Sequence, residues 1–185
     1  ATIQFTTNGG TTWTNAPGNN NPIQLTGLTN GTTYNYAVRA VDAAGNASAS
    51  SNTVSWTVDT AAPATPTLTR TAPTSTPTNT TTATLTAGSV ESGATLQYTT
   101  NGGTTWTNAP GNTNPIQLTG LTNGSTYNYA VRAVDAATNA SASSNTVTWT
   151  VDTAPPAAPT VSRTSPTVDP TNSTSQQISV SGIEV

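Results

Sequence analysis

Apolar and β-branched residues alternate with polar ones along short segments of this chain, and no helical i, i+3, i+4 period replaces the alternation anywhere. In TIQFTT, Ile3 and Phe5 share one face while Gln4 and Thr6 take the other. Asn8-Gly9-Gly10 follows, residues that tolerate positive φ, so TIQFTTNGGTTWT reads as a hairpin. PIQLTGL sets Ile23 and Leu25 on one face. YNYAVRA turns Tyr34, Tyr36, Val38 and Ala40 inward, with Asn35, Ala37 and Arg39 outward, and NTVSWTVD buries Val54, Trp56 and Val58. PTLTR and TATLTAG add strands centred on Leu68 and Leu85, with Pro and Asn punctuating the gaps. Seven short strands per unit predict an all-β sandwich.

The pattern repeats at an offset of 93 residues. TTNGGTTWTNAPG stands at 6–18 and again at 99–111. Residues 1–60 laid over 94–153 differ at Ile3/Leu96, Phe5/Tyr98, Asn20/Thr113, Thr32/Ser125, Gly45/Thr138 and Ser55/Thr148. Residues 61–92 align with 154–185 without gaps but diverge much more. So long a period suits a tandem array of whole domains better than a solenoid.

LTNGTTYNYAVRAVDAAGNAS (28–48) and LTNGSTYNYAVRAVDAATNAS (121–141) resemble the E–F–G region of fibronectin type III and bacterial immunoglobulin-like repeats. Leu, Gly and Tyr at this spacing resemble a tyrosine corner, which assigns Tyr34 and Tyr127 a structural role. VDTAAPATPTL and VDTAPPAAPTV resemble junctions between repeats of large secreted bacterial adhesins and biofilm proteins. The resemblance implies tandem immunoglobulin-like sandwiches of strands A to G, in a surface stalk or filament. Two features depart from it: the second strand carries no Trp, and Gly45 becomes Thr138, so that loop position is not expected to need positive φ.

In this frame residues 1–60 are strands C to G of one domain, 61–153 a complete domain, and 154–185 strands A and B of another. Losing A and B removes inward side chains of the kind Leu68 and Leu85 supply, on the order of 5 kcal/mol. Whole domains keep only about 5–15 kcal/mol of net stability. Something is therefore expected to complete the C–G piece. Either the residues are a window on a longer covalent array, or strands A and B of one copy complete C to G of the next, a head-to-tail strand addition. The expected partners are neighbouring repeats or further copies of the chain.

Composition narrows the chemistry. Charged residues are 6% of the chain, against about 25% in ordinary domains, and Lys, His, Cys and Met are absent. Four arginines and a net charge of −3 exclude a nucleic-acid surface, which needs clustered Lys and Arg. No run of about 18 apolar residues is present to span a bilayer. Without His, Cys or Lys the usual bases and activated nucleophiles are missing, so no enzymatic activity is expected. A surface of Thr, Ser, Asn, Ala and Gly reads as extracellular, at a bacterial surface; the lack of Cys fits many compartments.

The few acids recur at fixed places. Asp59, Glu91 and Asp135 are expected to converge at the junction between the first two units, with Asp152 and Glu184 repeating the arrangement at the next. Backbone carbonyls or Asn139 complete a shell for calcium, which extracellular modules bind at about 10⁻⁴–10⁻³ M. The alternative is that the aspartates only start turns while Glu91 is a solvated loop residue. Trp56 and Trp149 alternate with valines and are expected in the core. Trp13 and Trp106 follow the hairpin; they either cap the core or form a glycan platform, the basis of an alternative reading as a carbohydrate-binding or adhesive module. Asn30, Asn46, Asn79, Asn123, Asn139 and Asn172 begin Asn-x-Ser/Thr triplets, which recur by chance in so Asn- and Thr-rich a chain.

Overall fold

The structure, a computed structural model, describes residues 1–184. Among the described residues it is all-β apart from two single 3-10 turns, at Pro17–Asn19 and Pro110–Asn112, and no helix is long and apolar enough to cross a membrane. In chain order the first strands are β1 (Thr2–Thr6), β2 (Thr14–Asn15), β3 (Thr33–Val41) and β4 (Val54–Thr57), forming one sheet in the order β2-β1-β3-β4. Next come β5 (Thr67–Ala72), β6 (Ala83–Gly88), β7 (Thr95–Thr99), β8 (Thr107–Asn108), β9 (Ile116–Leu118), β10 (Thr126–Val134) and β11 (Val147–Thr150). These seven make two sheets, β5-β6-β9 and β11-β10-β7-β8. Last, β12 (Thr160–Ser165) and β13 (Gln177–Ser181) pair only with each other.

The middle unit holds the core. Leu85, Ile116, Val131 and Val151 are fully buried, and Trp149 is 1% exposed between them. Alternation explains most of the choice: along β10, Tyr129, Val131 and Ala133 are buried while Asn128 and Arg132 are not, but Ala130 on their side is buried as well, and so is its counterpart Ala37, which was expected outward. Trp149 stacks on Tyr127 and Tyr129, with centroids at 5.6 and 5.4 Å. The Arg70 guanidinium closes the edge, 5.1 Å from the Trp149 ring, and donates to the carbonyls of Thr74 and Ser75. Tyr127 makes the corner: its phenol oxygen accepts the Thr122 N–H at 2.8 Å, as Tyr34 accepts that of Thr29 at 2.9 Å.

Side-chain amides extend the backbone pairing at the strand edges. Asn145 receives the Leu68 N–H (2.9 Å) and donates to its carbonyl (2.8 Å). Asn114 does the same for Ala87, at 3.0 and 2.7 Å. Each amide imitates a strand neighbour, so backbone groups at the sheet edges are satisfied without continuous pairing.

The first unit corrects several expectations drawn from sequence. Trp56 is 46% exposed, and Val54 and Val38 are exposed as well, although all three were expected inside. Their inward direction is unchanged; what they lack is a facing sheet. Ile23 and Leu25 also form no strand, whereas the identical PIQLTGL of the middle unit does, because Ile116 and Leu118 pair with Leu85 and Ala83 of β6. A strand whose bonding partner is missing is not a strand. The hairpin after β1 re-enters the sheet only at Thr14 and Asn15, opposite Phe5 and Gln4.

One loop expectation fails differently. Thr138 sits at φ 72 and its counterpart Gly45 at φ 88, so the position does require the left-handed region. A β-branched residue there is strained by an amount on the order of 1–3 kcal/mol. Part of that is regained by the smaller entropy Thr loses on folding. Thr138→Gly is therefore expected to raise the unfolding free energy by on the order of 1 kcal/mol, and Gly45→Thr to weaken the β3–β4 connection. Urea titration of both variants checks this, and a destabilising Thr138→Gly contradicts it.

Candidate functional site

Two places gather the residues singled out by sequence. The first is the junction between the first and middle units. Asp59 from the linker, Glu91 to Ala94 from the β6–β7 loop, and Asp135 with Ala136 from the β10–β11 loop line one recess of about 160 Å³. The three acids thus meet at the joint, but what holds it is an amide. Asn139 Nδ2 donates to the Asp59 backbone carbonyl at 3.1 Å, across the boundary between units.

Asp135 holds that amide in place. Its Oδ1 accepts the Asn139 N–H at 2.8 Å and its Oδ2 accepts the Asn139 side-chain amide at 2.9 Å. Asp42 grips Asn46 in the same way, at 2.8 and 2.9 Å. The Asn139 side-chain amide is the main cause holding the Asp135 carboxyl below its ordinary value, as that of Asn46 does for Asp42. Asp59 Oδ1 accepts the Ala61 N–H at 3.0 Å, and Asp152 Oδ1 accepts that of Ala154 at 3.0 Å. Glu184 is exposed beyond β13. Among the described residues, no group of three or more His, Cys, Asp or Glu is arranged to hold a metal ion. The aspartates are engaged as turn acceptors, and no sequence signal points directly to the Asn139–Asp59 bond, which needs the loop brought to the linker.

The second place is the outer face of the four-stranded sheet. Trp106 lies there, half-buried, with the Arg132 guanidinium 4.6 Å from its ring centroid and Gly103 of the turn close to its edge. Arg132 Nε donates to Gln97 Oε1 at 2.8 Å, and Gln97 Nε2 donates to Asn108 Oδ1 at 2.9 Å. The first unit repeats every contact: Arg39 lies 4.5 Å from Trp13 and donates to Gln4, which donates to Asn15. Trp106 is not among the residues of the core cluster or those packed against it. Alternation alone puts Gln4 and Arg39 on the outward face; the cross-strand register, Gln4 opposite Arg39, makes them a chain.

No family model matches the chain. It is 38% identical over 135 residues to Endoglucanase B of Cellulomonas fimi, covering 69% of this chain and 13% of that protein. It is 37% identical over 129 residues to Chitinase A1 of Niallia circulans, covering 66% of this chain and 18% of that protein. The chain thus spans less than a fifth of either relative. Among solved structures it aligns with the fibronectin(III)-like modules of Clostridium thermocellum CbhA, at 19% identity and a TM-score of 0.49, covering 82% of this chain and 78% of that one. It also aligns with a two-domain fibronectin type III segment of chicken tenascin, at 17% identity and a TM-score of 0.37, covering 80% and 82%.

The middle unit is an all-β sandwich: the three-stranded β5-β6-β9 sheet faces the four-stranded β11-β10-β7-β8 sheet across a shared core. Its joint has a pH dependence of definite sign. A carboxyl whose folded pKa is depressed contributes stability above its unfolded value, about 3.9 for Asp. That contribution is lost as pH falls through the lower folded value. The thermal midpoint is expected to drop more steeply below about pH 4 in the wild type than in Asp135→Asn, which starts lower at neutral pH. Parallel midpoint curves for the two proteins contradict the role given to Asp135.

Proposed function

We propose that the chain is a non-catalytic spacer from an extracellular bacterial protein, a string of fibronectin type III-like sandwiches that holds other parts at a distance. The observation that carries this is the joint: two units, near-identical over 1–60 and 94–153, meet at a short linker that Asn139 bonds to the second. Repetition at a fixed joint sets length. It does not create a selective surface. An outward composition of hydroxyls and amides with few charges gives solubility and few strong contacts.

The relatives support this reading in one respect. One is an endoglucanase and the other a chitinase, and the chain matches a minor share of each. A segment common to two proteins of different names is poorly suited to be the seat of either activity. In this chain the absence of His, Cys and Lys agrees. A stalk or filament of a surface adhesin or biofilm protein is the finer form of the proposal, from the same mechanical property.

The alternative, glycan contact through Trp13 and Trp106, has the weaker footing, since a guanidinium already overlies each ring. The spacer reading needs no calcium at the joint, where both Asp135 oxygens accept hydrogen bonds from Asn139.

Small-angle scattering of the dilute chain tests the spacer reading. An elongated particle is expected, with the same profile in calcium and in chelator. A compact globule, or a profile that lengthens only with calcium, overturns the amide-held joint. Release of soluble sugar from cellulose or chitin by the purified chain overturns the non-catalytic assignment.

A further inference from the structure

The first unit presents an uncovered inner face. Val38, Val54 and Trp56 are 40%, 50% and 46% exposed, where the middle unit has Val131 and Trp149 at 0% and 1% and Val147 half-buried. A recess of about 440 Å³ opens beside Ile3, Ile23, Val38 and Ala40. At the other end, the β12–β13 hairpin presents Val161, Ile178 and Val180, at 65%, 64% and 47% exposed.

The middle unit shows what such a face takes. There β5–β6 covers the same four-stranded sheet, with Leu68, Leu85 and Ala87 buried. The corresponding residues of β12–β13, one period of 93 on, are Val161, Ile178 and Val180. One is smaller, one isomeric and one larger, so the apolar volume is nearly kept, and such exchanges are the ones cores tolerate best. Arg70, which closes the Trp149 ring, corresponds to Arg163, and the ring itself to Trp56. β12 and β13 already pair antiparallel in the register of β5 and β6: Val161 opposes Val180 as Leu68 opposes Ala87.

Polar groups agree. Asn145 and Asn114, the amides that clamp β5 and β6, correspond to Asn52 and Asn21. Both are exposed on the first unit, and their side chains make no hydrogen bond among the described residues. The partners they would meet are the backbone groups of Val161 and Val180.

We propose that in solutions of this chain the β12–β13 hairpin of one copy covers the inner face of residues 1–60 of another, head to tail. The occupant is fixed by the internal precedent, and it is independent of the spacer reading. Inside a longer polypeptide the same face takes a hairpin of its own chain by the same contacts; among separate 185-residue chains a second copy supplies it. Donor and acceptor are different surfaces, so the association is heterologous and extends into linear oligomers.

Two full-length variants test this. Ile178→Asp with Val180→Asp disables the donor, and Trp56→Asp disables the acceptor; all three positions are exposed, so the middle domain remains folded in both. Light scattering coupled to size exclusion is expected to show wild-type masses growing with concentration as multiples of the chain. Each variant alone is expected to be monomeric, and an equimolar mixture to form a 1:1 dimer that grows no further. A wild type that is monomeric at every concentration overturns the proposal. So do variants that still polymerise, or a mixture that stays monomeric.

Discussion

The inner face of the four-stranded sheet must be covered, and almost everything else in this molecule follows from whether it is. TYNYAVRAV occurs twice, as β3 and as β10, with the same neighbours in the same register. In the middle unit the face carrying Tyr129, Val131 and Trp149 is sealed by β5–β6, and a core results. In the first unit the same side chains stand open. Burying a large apolar side chain contributes about 1.5–3 kcal/mol, so three or four of them amount to much of a domain's net stability. Cover also propagates locally. β9 exists because β6 offers it a hydrogen-bonding edge, and the identical residues 23–25 stay irregular without one.

With so few charges, polar side chains take the structural work that ion pairs share elsewhere. Among the described residues one ion pair forms, Arg163 with Asp169 at 3.9 Å, and it is exposed enough to contribute little. Asparagine is the recurrent device instead. Asn145 ties β5 to the other sheet, Asn114 extends the pairing of β6 with β9, Asn139 bonds the linker, and Asn108 ends the outer-face chain from Arg132. An amide can donate and accept at once, which suits a backbone N–H and C=O of the same residue. The arginines are used for their planar faces as much as for charge, each of Arg39, Arg70 and Arg132 lying over a Trp ring.

Much of this was legible in the sequence. Alternation marked the strands and their inward faces, the 93-residue offset gave the frame, and Leu-Gly-Tyr marked the corner that Tyr127 closes on Thr122. Legibility stopped where a property depends on a partner rather than on the segment. Trp56 and Trp149 have neighbours in sequence that differ only at Ser55/Thr148, yet opposite exposure, because exposure is decided by residues 67–88. Thr138 shows another limit: replacement of Gly45 suggested a permissive loop, yet the Asp135–Asn139 turn imposes positive φ whatever residue stands there. The joint acids were brought to one recess, but the bond across it belongs to Asn139 and a main-chain carbonyl, which composition does not single out.

Because β3 and β10 have one sequence, each is the control for the other in native-state hydrogen exchange. In a chain dilute enough to be monomeric, the amides of Tyr127–Ala133 are expected to exchange only through global opening of the middle domain. Those of Tyr34–Ala40 are expected to exchange faster, through local opening of the uncovered sheet. Equal protection of the two strands would contradict the claim that cover by the facing hairpin is what makes this sheet a stable domain.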